Sequence, residues 1–154
     1  MSLQKIDTKF IEFSKKACVP MARFGLFVVF FWFGSLKVAG LSPASGLVQA
    51  LFEETIPWIS FSTFIILFGL FECLIGVLFL IRGFERIAII LLFSHMVTTF
   101  MPLFCLTQVT WSGFMTPTLE GQYIIKNLLI IAAALTIGAN LQPYHEKNSK
   151  NFSS

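Results

Sequence analysis

Glu72 is the one charged residue in the apolar run 64–81, a stretch long enough to cross a bilayer. A charge at the centre of a membrane costs roughly 2.5–3.5 kcal/mol on insertion scales, so it belongs inside a bundle of helices. At about 100° per residue, Gly69, Glu72, Cys73 and Gly76 fall on one helix face, and small residues let a neighbouring helix approach closely. Three other apolar segments carry a polar or small stripe of the same kind. Arg23, Phe30, Gly34 and Lys37 share one face; His95, Thr98, Thr99 and Pro102 a second; Gln122, Lys126, Ala133 and Asn140 a third. Counting ~1.5 Å per residue, Glu72 and His95 come out near the midplane, with Lys37, Glu120, Tyr123 and Lys126 at one end. Two pairings are open: Glu72 hydrogen-bonds His95, or the long side chain of Lys126 or Lys37 reaches down to it. Carboxylate, imidazole and ammonium together donate and accept protons, and Phe30, Phe31 and Trp32 offer walls for a flat ring.

The elements that position these groups follow from composition. The chain of 154 residues is 56% hydrophobic and 12% charged, with 19 Phe, against about 45–50% and about 25% for soluble domains. The expected fold is all-α, an integral membrane four-helix bundle. Its spans are read at about residues 19–36, 59–81, 87–104 and 123–141, within a bundle covering 19–141, each near the ~20 residues that a bilayer requires. Lys5, Lys9, Lys15, Lys16, Arg23, Arg82, Arg86, Lys147 and Lys150 fall on one side of such a bundle, leaving Lys37 and Lys126 near the other. That asymmetry places both termini in the cytoplasm. The basic residues are spread along one membrane edge instead of clustering with aromatics, so nucleic acid is not an expected partner.

Residues 1–18 carry Leu3, Ile6, Phe10, Phe13 and Ala17 at helical spacing with charges between them. The pattern predicts an amphipathic helix lying on the cytoplasmic surface, not a cleaved signal. Ser42 and Pro43 start a short interfacial helix in the first outer loop, whose apolar face is Leu47, Val48, Leu51 and Phe52. The loop 105–122, with Trp111, Phe114 and Met115, is expected at the interface, and the tail 142–154 is expected to be a disordered cytoplasmic segment. No metal site is expected, because Cys18, Cys73 and Cys105 lie at three different depths without a paired spacing. A bis-histidine haem needs a second intramembrane histidine, and His145 is in the tail. Taken singly, Arg23 and Lys37 also suit snorkelling anchors, His95 a hydrogen-bonded core residue, and Thr98 and Thr99 partners of their own backbone.

The ordered set Arg23, Gly34-Ser-Leu-Lys37, Glu72-Cys-Leu-Ile-Gly76, Thr98-Thr99 and Gly121-Gln-Tyr123-Ile-Ile-Lys126-Asn127 resembles the DoxX-like superfamily of small four-span proteins, in particular its branch of bacterial reactive-chlorine-resistance inner-membrane proteins. The similarity covers roughly residues 20–140. It departs in the first outer loop, which is reduced here to Ala39–Gly46. The resemblance implies a bacterial inner-membrane protein linked to redox or oxidant-stress defence, in some relatives as the membrane subunit of a quinone-linked oxidoreductase, and it adds Asn127 to the candidate site.

The residues thus expected in a polar interior are Glu72, His95, Lys37, Lys126, Glu120, Arg23, Tyr123, Asn127, Thr98 and Thr99, with Gly34, Gly69 and Gly76 as helix-packing positions. The leading functional expectation is binding of a quinone or another small amphipathic molecule inside the bundle. The alternatives are a small permease or channel for a polar solute or ion, and a non-catalytic membrane scaffold subunit. The chain has no motif for a redox centre of its own, so electron transfer requires a bound cofactor or a redox partner subunit. Besides such a subunit, the expected partners are the lipid bilayer and a second copy of the chain.

Overall fold

In the computed structural model, residues 3–55, 58 and 60–143 are described. They form, in order, α1 (Leu3–Val38), α2 (Ser45–Thr55), α3 (Phe61–Leu80), α4 (Glu85–Phe100), α5 (Pro102–Cys105), α6 (Thr107–Thr110), β1 (Trp111–Gly113), β2 (Thr116–Pro117), α7 (Leu119–Ile125) and α8 (Leu128–Ala139). Four units are long and apolar enough to cross a membrane: Leu3–Val38, Phe61–Leu80, Glu85–Cys105 and Leu119–Ala139. The fold is an all-α bundle of four membrane-spanning helices. Its spans are apolar both outside and inside. Ile66, Leu67, Leu70, Ile90, Val97, Leu128 and Leu129 are exposed, a surface suited to lipid, while Leu26, Phe30, Ile75, Phe79, Ala88, Leu92, Met96, Ala134 and Ile137 form the core.

Antiparallel α1 and α3 pack backbone against backbone along much of their length. A Cβ added at Gly34 would sit 2.6 Å from the Gly69 carbonyl oxygen, one at Gly69 2.7 Å from the Gly34 oxygen, and one at Gly76 2.9 Å from the Phe31 nitrogen. With these three glycines the backbones touch directly, which is how helices gain packing energy where no hydrophobic drive between them exists. α1 ends in a Schellman arrangement: the Gly40 N–H donates to the Lys37 carbonyl and the Leu41 N–H to the Leu36 carbonyl, with Gly40 at φ +71°. This stop puts Lys37 in the last turn, its side chain directed inward.

Three local features differ from the sequence expectation. α1 runs unbroken through Pro20, so the described residues 3–18 continue into the first span instead of forming a separate helix; the proline removes one backbone donor without ending the helix. The loop 105–122 contains an antiparallel ribbon pairing Trp111 with Pro117 and Gly113 with Thr116. The fourth span begins at Leu119, not 123, and turns at Lys126–Asn127, where Asn127 and Leu129 donate to carbonyls three residues back. Of the tail 142–154, residues 144–154 lie outside the described part.

Candidate functional site

Lys37 from the last turn of α1, Glu72 from the middle of α3 and His95 from α4 converge in the interior. Lys37 Nζ donates to Glu72 Oε2 at 2.6 Å, and His95 Nε2 lies 2.9 Å from Glu72 Oε1. All three residues are about 95% removed from solvent, at 6%, 5% and 6% exposure. Each carboxylate oxygen therefore has its own donor, and the ammonium balances the carboxylate charge inside a low-dielectric environment. Both open pairings of Glu72, with His95 and with Lys37, are realised together. Among the described residues, no buried side-chain nitrogen or oxygen is left without a partner.

One turn along α4, Thr99 completes the cluster. Its Oγ1 is 3.1 Å from His95 Nδ1 and 3.0 Å from the His95 carbonyl oxygen. These two contacts support two complete proton arrangements. With a neutral ring, Nε2–H donates to Glu72 and the Thr99 hydroxyl donates to Nδ1; with a protonated ring, Nδ1–H donates to Thr99, whose hydroxyl turns to the carbonyl. The cluster can gain or lose a proton without stranding a buried polar atom. That is the property expected of a proton-exchanging site.

Aromatic rings enclose the imidazole. Phe68 stacks on it with centroids 5.0 Å apart and planes at 16°, Phe30 meets it edge-on at 5.4 Å, and Phe71 lies at 6.2 Å. Lys37 Nζ is 5.7 Å from the Phe68 centroid, within cation–π range. Of the walls expected from sequence, Phe30 is in place, whereas Phe31 and Trp32 are exposed at 42% and 65% and turn away. Phe68 and Phe71, which also lie against the imidazole, were not expected there. Their signal was available, since Phe68 is four residues before Glu72 on one helix and so shares its face.

The remaining candidates stand apart from this cluster. Arg23 is at the opposite end of the bundle, donating to the Phe79 and Leu80 carbonyls at 2.7 and 3.1 Å and to Glu85 Oε1 at 2.7 Å. Glu85 Oε2 in turn accepts from the Gly83 N–H at 2.7 Å. Sequence reasoning passed over Glu85, whose only mark is its place in the first turn of a helix. Thr98 is exposed and bonds its own backbone at His95. Glu120, Tyr123 and Lys126 are exposed, Asn127 is half-buried, and Lys126 Nζ lies 4.9 Å from the Tyr123 ring instead of reaching Glu72. The turn at Lys126–Asn127 explains this correction: extrapolating a constant helical phase across it assigns the wrong inward face. Ile124, Ala134 and Ile137 are the fourth span's buried side chains.

Between the cluster and the Arg23–Glu85 pair the interior is filled by Leu26, Ile75, Phe79, Ala88 and Leu92. Phe79 is seven positions after Glu72, about 10 Å of apolar packing along the axis. At the Lys37 end, Phe52 of α2 covers Phe61 and Phe64 at 5.7 and 4.7 Å.

No family model matches this chain, and neither a curated protein nor a solved structure matches it.

Proposed function

We propose that this multi-pass protein belongs to the bacterial inner membrane, with both termini in the cytoplasm, and that the Lys37–Glu72–His95–Thr99 cluster is a proton-exchanging site for a quinone or a similar small amphipathic ring, serving redox or oxidant-stress defence. The observation that carries this reading is the Thr99 hydroxyl, placed to keep His95 hydrogen-bonded whether its ring is neutral or charged. Lys37 and His95 supply the donors that a ring carbonyl needs, and the surrounding phenylalanines suit a flat partner. Bound there, a quinone would supply the electron-accepting chemistry, and the chain's own residues would hold its oxygens and pass protons. The electrons come from a redox partner subunit. The resemblance of Arg23, Glu72-x-x-x-Gly76 and Gly121-x-Tyr123-x-x-Lys126 to the DoxX-like superfamily points the same way.

The apolar layer from Leu26 to Leu92 weighs against a permease, because a polar path must continue past Glu72 to the other side. Thermal-shift titration of the purified protein with quinones, beside liposome flux of small ions and polar solutes, tests the choice. A bound quinone stabilises the fold by RT ln(1 + [L]/Kd), about 2.7 kcal/mol at a hundredfold excess over Kd. The shift should vanish in Glu72→Gln. Solute flux that disappears in Glu72→Gln, with no quinone shift in the wild type, would establish the permease instead.

A further inference from the structure

His95 is the last ring of a column. Phe52 is the one fully buried residue of α2, and its ring lies 4.7 Å from that of Phe64. Phe64 stacks on Phe68 at 5.5 Å with planes 15° apart, and Phe68 stacks on His95 at 5.0 Å and 16°. The near-parallel offset rings at the inner end have the geometry that a planar ligand adopts against an aromatic face. Phe68 alone among them has a charged donor beside it, Lys37 Nζ.

Two approaches to the cluster are closed. The α1–α3 side is sealed by backbone contact at Gly34 and Gly69, and the Arg23 end by the apolar core. Among the described residues, the Lys37 end is covered by the Phe52 side chain of α2. Phe52 rests on Phe64, and Phe64 on Phe68, so the position of the innermost ring depends on the outermost.

We infer that the Phe68 ring holds the place of a ligand ring of the quinone class, stacked on His95 beside Lys37, and that α2 latches it there through Phe52. This rests on the quinone reading of the cluster. Lifting α2 removes Phe52 from Phe64, frees Phe68 to turn outward, and lets the ligand's ring replace it, stacked on His95 with an oxygen toward Lys37. The specificity that follows is for flat rings of about one phenyl width.

The test uses the full-length protein with Cys18, Cys73 and Cys105 replaced and Thr99→Cys introduced as a reporter beside His95. N-ethylmaleimide modification is timed by mass spectrometry with Phe52 intact, in Phe52→Ala, and in Phe68→Leu, which keeps bulk but removes the stack. In parallel, the Kd of a decyl-substituted benzoquinone is measured with Thr99 restored. Relieving a latch raises the binding-competent fraction, so labelling should quicken and the Kd fall by about tenfold in Phe52→Ala and in Phe68→Leu. Labelling unchanged in Phe52→Ala overturns the latch, whatever the quinone does. A Kd that rises in Phe68→Leu makes Phe68 a wall of the site and overturns the ring-replacement claim. Faster labelling with no quinone bound by any variant overturns the quinone reading, and the ring slot with it.

Discussion

Lys37 and Glu72 meet at 2.6 Å across the glycine-lined crossing of α1 and α3, one turn from the reciprocal contact of Gly34 with Gly69. The two features depend on each other. A lysine in the last turn of α1 reaches a carboxylate in the middle of α3 because the glycines bring the two backbones together, and the ion pair fixes the register at which the glycines oppose.

The first prediction concerns that charge balance. Lys37→Met takes the ammonium from a buried carboxylate and leaves it only its bond to His95, and loss of one partner of a buried pair costs about 3–5 kcal/mol. The double variant Lys37→Met/Glu72→Gln, in which no charge is stranded, should recover most of that loss. Unfolding in mild detergent measures the wild type, Lys37→Met, Glu72→Gln and the double variant. A double variant as unstable as the sum of the singles would show that the pair carries no coupling.

The second concerns the glycines. Gly34→Ala and Gly69→Ala place a methyl where neither backbone can yield, and overpacking of this kind typically costs about 1–3 kcal/mol. Gly25 is the internal control: its added Cβ would meet nothing within 4 Å, so Gly25→Ala should be neutral or stabilising by up to about 1 kcal/mol. Equal melting temperatures for Gly25→Ala and Gly34→Ala would contradict the close crossing.

Much of this was legible in the sequence, and the failures share one cause. Glu72, its small neighbours and the four apolar spans were readable because charge in an apolar run and helical spacing are both local signals. Lys126 and Tyr123 were misplaced because a single turn at Lys126–Asn127 shifts the phase of everything before it, and that turn contains no proline or glycine to announce it. The Arg23–Glu85 pair escaped because it joins residues 62 apart through a tight turn at Gly83, φ +96°. Phe52 was legible as one apolar face of an interfacial helix, but its seat on Phe64 is a tertiary fact.

The third prediction separates Arg23 from a simple snorkelling anchor. Its guanidinium satisfies two carbonyls at the end of α3 and one carboxylate, a fork that an ammonium cannot reproduce. Arg23→Lys should therefore lose stability nearly as Arg23→Met does, by about 1.5–3 kcal/mol for charged hydrogen bonds. A fully stable Arg23→Lys would reduce Arg23 to an anchor.

The proposed topology, with both termini in the cytoplasm, rests on the basic asymmetry and on four candidate spans. Lys9→Cys and Ser112→Cys lie at exposed positions beyond opposite ends of the bundle. In intact cells of a cysteine-free background, an impermeant maleimide should label position 112 and reach position 9 only after permeabilisation. The reverse pattern would invert the orientation and put the Lys37 end in the cytoplasm.

The last prediction addresses the proton itself. Thr99→Val removes the hydroxyl that serves His95 Nδ1 in both arrangements while leaving the Lys37–Glu72 pair and the aromatic enclosure in place. Nδ1 of a neutral ring then lacks a donor, and Nδ1–H of a charged ring lacks an acceptor, each a buried polar group left unmade at about 1–3 kcal/mol. Thr99→Ser keeps the hydroxyl and should behave as wild type. Nitrogen NMR of labelled histidine, with His145→Gln so that His95 alone is read, reports the outcome directly: the wild type and Thr99→Ser should show the same Nδ1 and Nε2 shifts. In Thr99→Val the Nδ1 resonance should move and the fold should weaken. If the Thr99→Val shifts match those of the wild type, the hydroxyl bonds only its own backbone, and the cluster is a brace between helices without a proton role.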